Sequence, residues 1–214
     1  DGGVRGAAAR ALGASRDGGS KAAIEAILAE DKDPRARAGA AAGLGTLFDH
    51  GSIPVLWKAF SDKSQPAAVR AEAAFSLSGF RCGSDDPDTP CLSGAQTAAV
   101  RAARRDPSMA EFRGIAILAA AELQDPGTRP LLKDLLMSDS KRVRDATAKL
   151  LWQFDDKTVD KFLGDRLKAV SDPATAQKVM LGLEAWQGQD LAPLVVEFAS
   201  PPQVPLPIRI AAIH

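Results

Sequence analysis

A chain of 214 residues that is 45% hydrophobic and 25% charged is long enough to bury a sizeable core, and its composition points to a folded protein with no low-complexity tract. Lys plus Arg and Asp plus Glu each number 27, so the net charge is zero and the basic excess expected of a nucleic-acid binder is missing. Aromatic residues make up 5% with no Tyr, while Ala and Leu lead the apolar share, which argues against sheets and for closely packed helices.

Taken in chain order, one helical pattern recurs. Val4-Arg5 is followed by Ala8, Ala9 and Leu12; Ala36-Arg37 by Ala40, Ala41 and Leu44; Val69-Arg70 by Ala73, Ala74 and Leu77. Phe112-Arg113 continues with Ala116 and Ile117, and Val143-Arg144 with Thr147, Ala148 and Leu151. Ala176 holds the Arg position ahead of Val179, Met180 and Leu183, and Ile208-Arg209 opens a last copy. The anchors 5, 37, 70, 113, 144, 176 and 209 are spaced by 32, 33, 43, 31, 32 and 33, the long interval holding an insertion of about eleven residues. Positions three, four and seven beyond each anchor share one helical face. Helix starts are marked by Asp33-Pro34, Gln65-Pro66, Asp106-Pro107 and Asp172-Pro173.

Between these helices lies a second apolar run in each unit: 22–28, 53–60, 95–103, 130–137, 159–167 and 191–198. Each unit therefore reads helix, turn, helix, and buries its apolar face only against a neighbour. The predicted units are 1–19 (partial), 20–50, 51–80, 94–126, 127–154, 155–187 and 188–214 (truncated), with 81–93 an inserted loop, all within a single array over 1–214. Asp33-Pro34-Arg35-Ala36-Arg37 through Leu44-Gly45 closely resembles the second helix of the HEAT-repeat family, in its short bacterial, phycobilisome-lyase-like form, which typically reads Asp-Pro-x-Val-Arg-x-x-Ala-Ala-x-Ala-Leu-Gly. The resemblance covers nearly the whole chain outside the insert. It implies an all-α, right-handed α-α superhelix of six to seven repeats (a HEAT-type α-solenoid), with second helices on the concave face and first helices on the convex one.

Arg5, Arg37, Arg70, Arg113, Arg144 and Arg209 form a ladder. The resemblance implies a structural role for it, each Arg pairing with a turn Asp, and Asp33, Asp62, Asp106 and Asp139 are placed to do so. Cys82 and Cys91 end the Gly/Pro/Asp-rich insert and are expected to staple it by a disulfide, with two free thiols or half of a metal site as alternatives. Asp85, Asp86 and Asp88 lack the spacing of a calcium loop and read as a solvated acidic loop. Phe75, Leu118 and Trp152, off the core face of three consecutive second helices, make either an apolar stripe for a partner or packing between layers. Trp57 and Trp186 read as core anchors.

No nucleophile elbow, P-loop or dinucleotide fingerprint occurs, and His50 and His214 are the only histidines, so neither a catalytic set nor a metal or cofactor site is predicted. The longest apolar stretch, Ile115–Ala121, is too short for a membrane span. A start at Asp1 and an end in apparent mid-helix read as a piece of a longer protein. The expectation is a non-enzymatic scaffold or adaptor that binds another protein or peptide on its concave surface. A Cys82–Cys91 disulfide would place it in the periplasm, envelope or exterior of a bacterium. A cytosolic bilin-lyase-like or other HEAT-fold enzyme is the alternative. The oligomeric state is left open.

Overall fold

The computed structural model describes residues 1–81, 89–187, 193, 195 and 196, and among them every regular element is helical. Their contacts cluster into two compact units, Asp1–Thr128 and Arg129–His214.

Unit 1 holds α1 (Gly2–Ala14), α2 (Lys21–Glu30), α3 (Pro34–Leu47), α4 (Ile53–Ser61), α5 (Ala67–Ser78), α6 (Gly94–Ala102) and α7 (Arg113–Glu122). The pairs α2/α3, α4/α5 and α6/α7 fall within the predicted units 20–50, 51–80 and 94–126. The second helices α1, α3, α5 and α7 pack one on the next, and each first helix lies against its own second helix. Local chemistry sets the boundaries. Asp33 caps α3 by accepting from the Arg35 amide at 2.9 Å, with Pro34 at the first helical position, where no amide is missed. Ser93 and Gln96 form a reciprocal capping box at the start of α6. At Asp106-Pro107 the expected helix start is instead a 3₁₀ stretch, Pro107–Phe112, with Met109 out of helical geometry, and α7 begins only at Arg113.

Helix α3 is flanked by α1, α2 and α5. It is accordingly buried on nearly every side, with Ala36, Ala38 and all of Gly39–Leu44 in the interior. Close approach to α1 depends on missing side chains. A Cβ on Gly6 or Gly13 of α1, or on Gly39 or Gly43 of α3, would collide with the opposing backbone. Ser76 on α5 adds a hydrogen bond to the Ala41 carbonyl at 2.8 Å.

Unit 2 holds α8 (Arg129–Leu135), α9 (Lys141–Gln153), α10 (Val159–Lys168) and α11 (Pro173–Trp186). Leu132 and Leu136, Leu150 and Leu151, and Val159, Leu163 and Leu167 supply much of its interior. Arg129 lies over the Phe154 ring at 4.9 Å and Arg166 over Phe162 at 5.1 Å. The predicted copy from 188 onward, including Arg209, lies outside the described residues apart from 193, 195 and 196.

One device recurs where a second helix gives way to the next first helix. Arg16, Phe48, Gln124, Asp155 and Gln187 all adopt left-handed φ, between 50° and 60°. The first four are each followed by an Asp whose carboxylate accepts from the amide two residues on: Asp17 from Gly19, Asp49 from Gly51, Asp125 from Gly127 and Asp156 from Thr158. The left-handed residue ends one helix and the Asp turn starts the next.

Candidate functional site

The arginine ladder is structural in its buried members, but its partners differ from those expected. Arg70, 2% exposed, gives its guanidinium to the Asp106 carboxylate at 2.8 Å, to Ser108 Oγ at 2.7 Å and to the Phe60 carbonyl at 3.2 Å. Arg37 and Arg144 reach back six residues to backbone carbonyls, of Asp31 at 2.6 Å and Ser138 at 2.7 Å. They cover carbonyls in the turns that follow α2 and α8. Arg5 pairs with Asp31 at 2.5 Å, and Arg113 is exposed. Among the described residues, Asp106 is the one expected acidic partner that receives an anchor arginine on its carboxylate. Asp33 is taken by Arg35, Asp62 by Ser64 and Asp139 by Lys178.

A second ladder, not anticipated from the residues, runs through the Asp turns. Lys21 reaches Asp49 at 2.8 Å, Arg104 reaches Asp125 at 2.8 Å, and Lys133 reaches Asp156 at 3.5 Å. The Lys21 ammonium holds the Asp49 carboxyl below the ordinary carboxylate range, and the Arg104 guanidinium does so for Asp125. Burial opposes the same shift at Asp156, where hydrogen bonds from Thr158 and the Lys133 charge prevail. The signal is in the sequence as Asp17, Asp49, Asp125 and Asp156, in two pairs spaced by 32 and 31, but Asp is too common in loops for it to stand out.

Of the two readings of the apolar residues off the core face, packing is the one that Leu118 and Phe75 follow. Leu118 is 2% exposed, because α7 is buried on all sides from Ala116 to Ala121, and Phe75 packs half-buried against the core. Neither presents a free face like that of Trp152, which is 53% exposed and well held. Its indole stacks on Trp186 with centroids 4.4 Å apart and planes 14° from parallel, and its Nε1 donates to the Trp186 carbonyl at 3.2 Å. Trp186 is buried as predicted and donates through Nε1 to Asp160 at 2.6 Å. One indole face is thus open to solvent while the ring is fixed from behind.

Trp57 is only partly buried, and with Phe60 of α4 it forms one wall of a cleft of about 380 Å³. Ala99, Ala102 and Ala103, on and just after α6, form the other wall, and their methyl groups are too small to fill the space opposite the rings. Ser61, Lys63 and Asp106 make the polar end. There Lys63 Nζ meets Asp106 at 2.7 Å, while Arg70 and Ser108 hold the same carboxylate, which stays far below its usual range through Lys63, Ser108 and Arg70 in turn.

At the insert, Phe80 and Leu92 close the neck by an amide-to-carbonyl bond of 3.0 Å, and His50, packed against Phe48 and Phe80, donates through Nδ1 to the Pro90 carbonyl. Cys82, Asp85, Asp86 and Asp88 lie outside the described residues. Among the described residues no group of His, Cys, Asp and Glu is placed to hold a metal, and no helix is long and apolar enough to cross a membrane.

A family model described as HEAT repeats matches residues 1–78. No curated protein is significantly similar to the chain. Among solved structures the chain is similar to human deoxyhypusine hydroxylase in complex with glycerol, at 17% identity, over 100% of this chain and 78% of that one, with a TM-score of 0.38. Likeness at that level carries no argument about activity.

Proposed function

We propose, from the premise that residues 1–78 are HEAT repeats, that the protein is a non-enzymatic scaffold that binds another protein through its second-helix layer. By the HEAT resemblance such a layer would line the concave side. The observation that carries the reading is Trp152, an aromatic ring half open to solvent, fixed by a stacked indole and a hydrogen bond. Rigid aromatic anchors lose little conformational entropy on binding and dominate the energetics of protein interfaces.

The test compares immobilised wild type with Trp152→Ala, after circular dichroism shows equal helical content. A partner from envelope extracts that is retained by wild type and held about tenfold less by the variant supports the reading. Equal retention overturns the role of Trp152.

The location proposed with this role is the bacterial envelope or exterior, through a Cys82–Cys91 disulfide closing the insert. What supports it is the hydrogen-bonded neck at Phe80 and Leu92, which brings the two ends of the insert together. Alkylation of denatured, unreduced protein from its native host decides this. Two modified cysteines remove the argument for the envelope.

A further inference from the structure

We propose that the α4–α6 cleft binds the C-terminal residue of a partner polypeptide, with its apolar side chain between the walls and its free α-carboxylate on Lys63. This rests on the reading that the protein binds another polypeptide, and adds a second contact in unit 1.

The walls specify the apolar part. Two rings, Trp57 and Phe60, face three alanine methyls across about 380 Å³, which suits one bulky side chain. Ligand pockets are commonly apolar with a few polar groups at one place that fix orientation.

The polar end specifies the sign of the head group. Two cations, Lys63 and Arg70, share the single carboxylate of Asp106, so the cluster carries one uncompensated positive charge. The two cations are not equivalent. Arg70 is buried, whereas the Lys63 side chain is 73% exposed. Asp106 would remain satisfied without Lys63, because Arg70 Nη2 at 2.8 Å, Ser108 Oγ at 2.6 Å and the Ser108 amide at 2.9 Å all donate to it. An ammonium has three donors, and among the described residues one of them is engaged. Lys63 is therefore free to turn to an incoming carboxylate while the core pair stays intact.

The shape selects a polypeptide over a small free acid. Small-molecule sites enclose most of their ligand. Ser61, Lys63 and Ala102 on its rim are exposed, so a free acid bound here would keep a face in water, whereas a chain could run on out of the cleft.

The probe is a dye-labelled peptide Ala-Ala-Ala-Phe with a free C-terminus, compared by fluorescence anisotropy on the full chain with its C-terminal amide and with N-acetylphenylalanine. The expected result is saturable binding of the free-acid peptide, with the amide about tenfold weaker, as befits one charge-assisted hydrogen bond. Lys63→Gln, which leaves the buried Arg70–Asp106 pair in place, should bring acid and amide to the same affinity. Ala102→Leu, at an exposed position on the cleft rim, should abolish binding of both by filling the space. Equal binding of acid and amide by wild type, no saturable binding of the acid, or no effect of Lys63→Gln overturns the proposal. N-acetylphenylalanine binding as tightly as the peptide overturns the polypeptide source in favour of a free acid. A partner retained through Trp152 by a chain that ignores the peptide removes the cleft proposal and leaves the scaffold reading standing.

Discussion

Between α1 and α3 of unit 1 backbone meets backbone, at Gly6 and Gly13 on one helix and Gly39 and Gly43 on the other. Between α9 and α11 of unit 2 the meeting surface includes two stacked indoles, Trp152 and Trp186, 4.4 Å apart. Both are contacts between consecutive second helices, solved by opposite means. Close approach gains dense dispersion contact and tolerates no added atom. Ring stacking holds the helices further apart and leaves an aromatic face over for solvent or a partner. The family match ends at residue 78, within the glycine- and alanine-packed part of the chain, where the repeat pattern is also cleanest.

The largest expected effect comes from adding one methyl to the glycine interface. In an open helix Gly→Ala stabilises by about 1 kcal/mol. At Gly43 the new Cβ would strike the Ala9 carbonyl, a backbone atom that cannot rotate away. Gly43→Ala is therefore expected to destabilise unit 1 by roughly 2–3 kcal/mol. Gly182→Ala in unit 2 meets the Leu136 carbonyl at 3.1 Å, and should fall within about 1 kcal/mol of wild type. Urea melts of the two variants decide it, and equal stability would remove the contrast.

Next in size are the anchor arginines. Arg70→Met leaves the Asp106 carboxylate without its buried partner and is expected to cost about 3 kcal/mol. Arg144→Met removes hydrogen bonds to the Ser138 and Asp139 carbonyls, which water can replace, and should cost about 1.5 kcal/mol. Chemical denaturation measures both. A cost for Arg144→Met as large as that for Arg70→Met would show that the carbonyl-capping arginines matter as much as the ion-paired one.

The helical pairs were legible in the sequence because their signals are strong and local. Asp33-Pro34 and Asp172-Pro173 start helices where the residues said they would. Arg70, Arg37 and Arg144 are structural, but the sequence could not reveal that two of them seek carbonyls, since a carbonyl is present at every position. Between the two readings of Leu118 the sequence could not decide, for another reason. Position on a helix face decides exposure only when one side of the helix is open, and α7 has neighbours all round. The cleft beside Trp57 was illegible because it arises from small residues on a different helix. The turns at Arg16, Phe48, Gln124 and Asp155 were hidden because none of them is the glycine that usually marks a left-handed helix end.

Acid should separate the units. In unit 1, Arg5 lowers Asp31 to about 2, Lys21 and Arg104 lower Asp49 and Asp125, and Asp33, through Arg35, and Asp106, through Lys63, Ser108 and Arg70, lie further below 3.8. In unit 2 the depressed carboxyls described are Asp156, Asp165 and Asp172. A carboxyl whose folded pKa is depressed gives its full stabilisation above its unfolded pKa, and loses it as pH falls through 3.8 toward the folded value. Stability is thus expected to be flat above about pH 5 and to decline below pH 4, with amide protection lost first in unit 1. Hydrogen exchange at pH 6 and pH 3 tests the order. Earlier loss in unit 2 would mean that the exposed ion pairs of unit 1 contribute little to its folding.

The smallest effect concerns the left-handed turns, and it divides the units by chemistry. A residue with a Cβ is strained at φ near 60°, whereas Gly is not, and Asp tolerates the region better than Gln because its short side chain bonds locally. Gln124 in unit 1, at φ 60°, should therefore gain more from Gly than Asp155 in unit 2, at φ 50°. Against each gain stands the greater freedom of Gly in the unfolded chain. Gln124→Gly is expected to stabilise by about 0.5–1 kcal/mol, and Asp155→Gly to stay near neutral, partly because it also gives up the exposed pair with Lys157. Thermal melts of the two variants supply the comparison. A gain at Asp155 equal to that at Gln124 would show that backbone strain alone sets the balance, and no gain at either would show that the Asp turn that follows compensates for the strain before it.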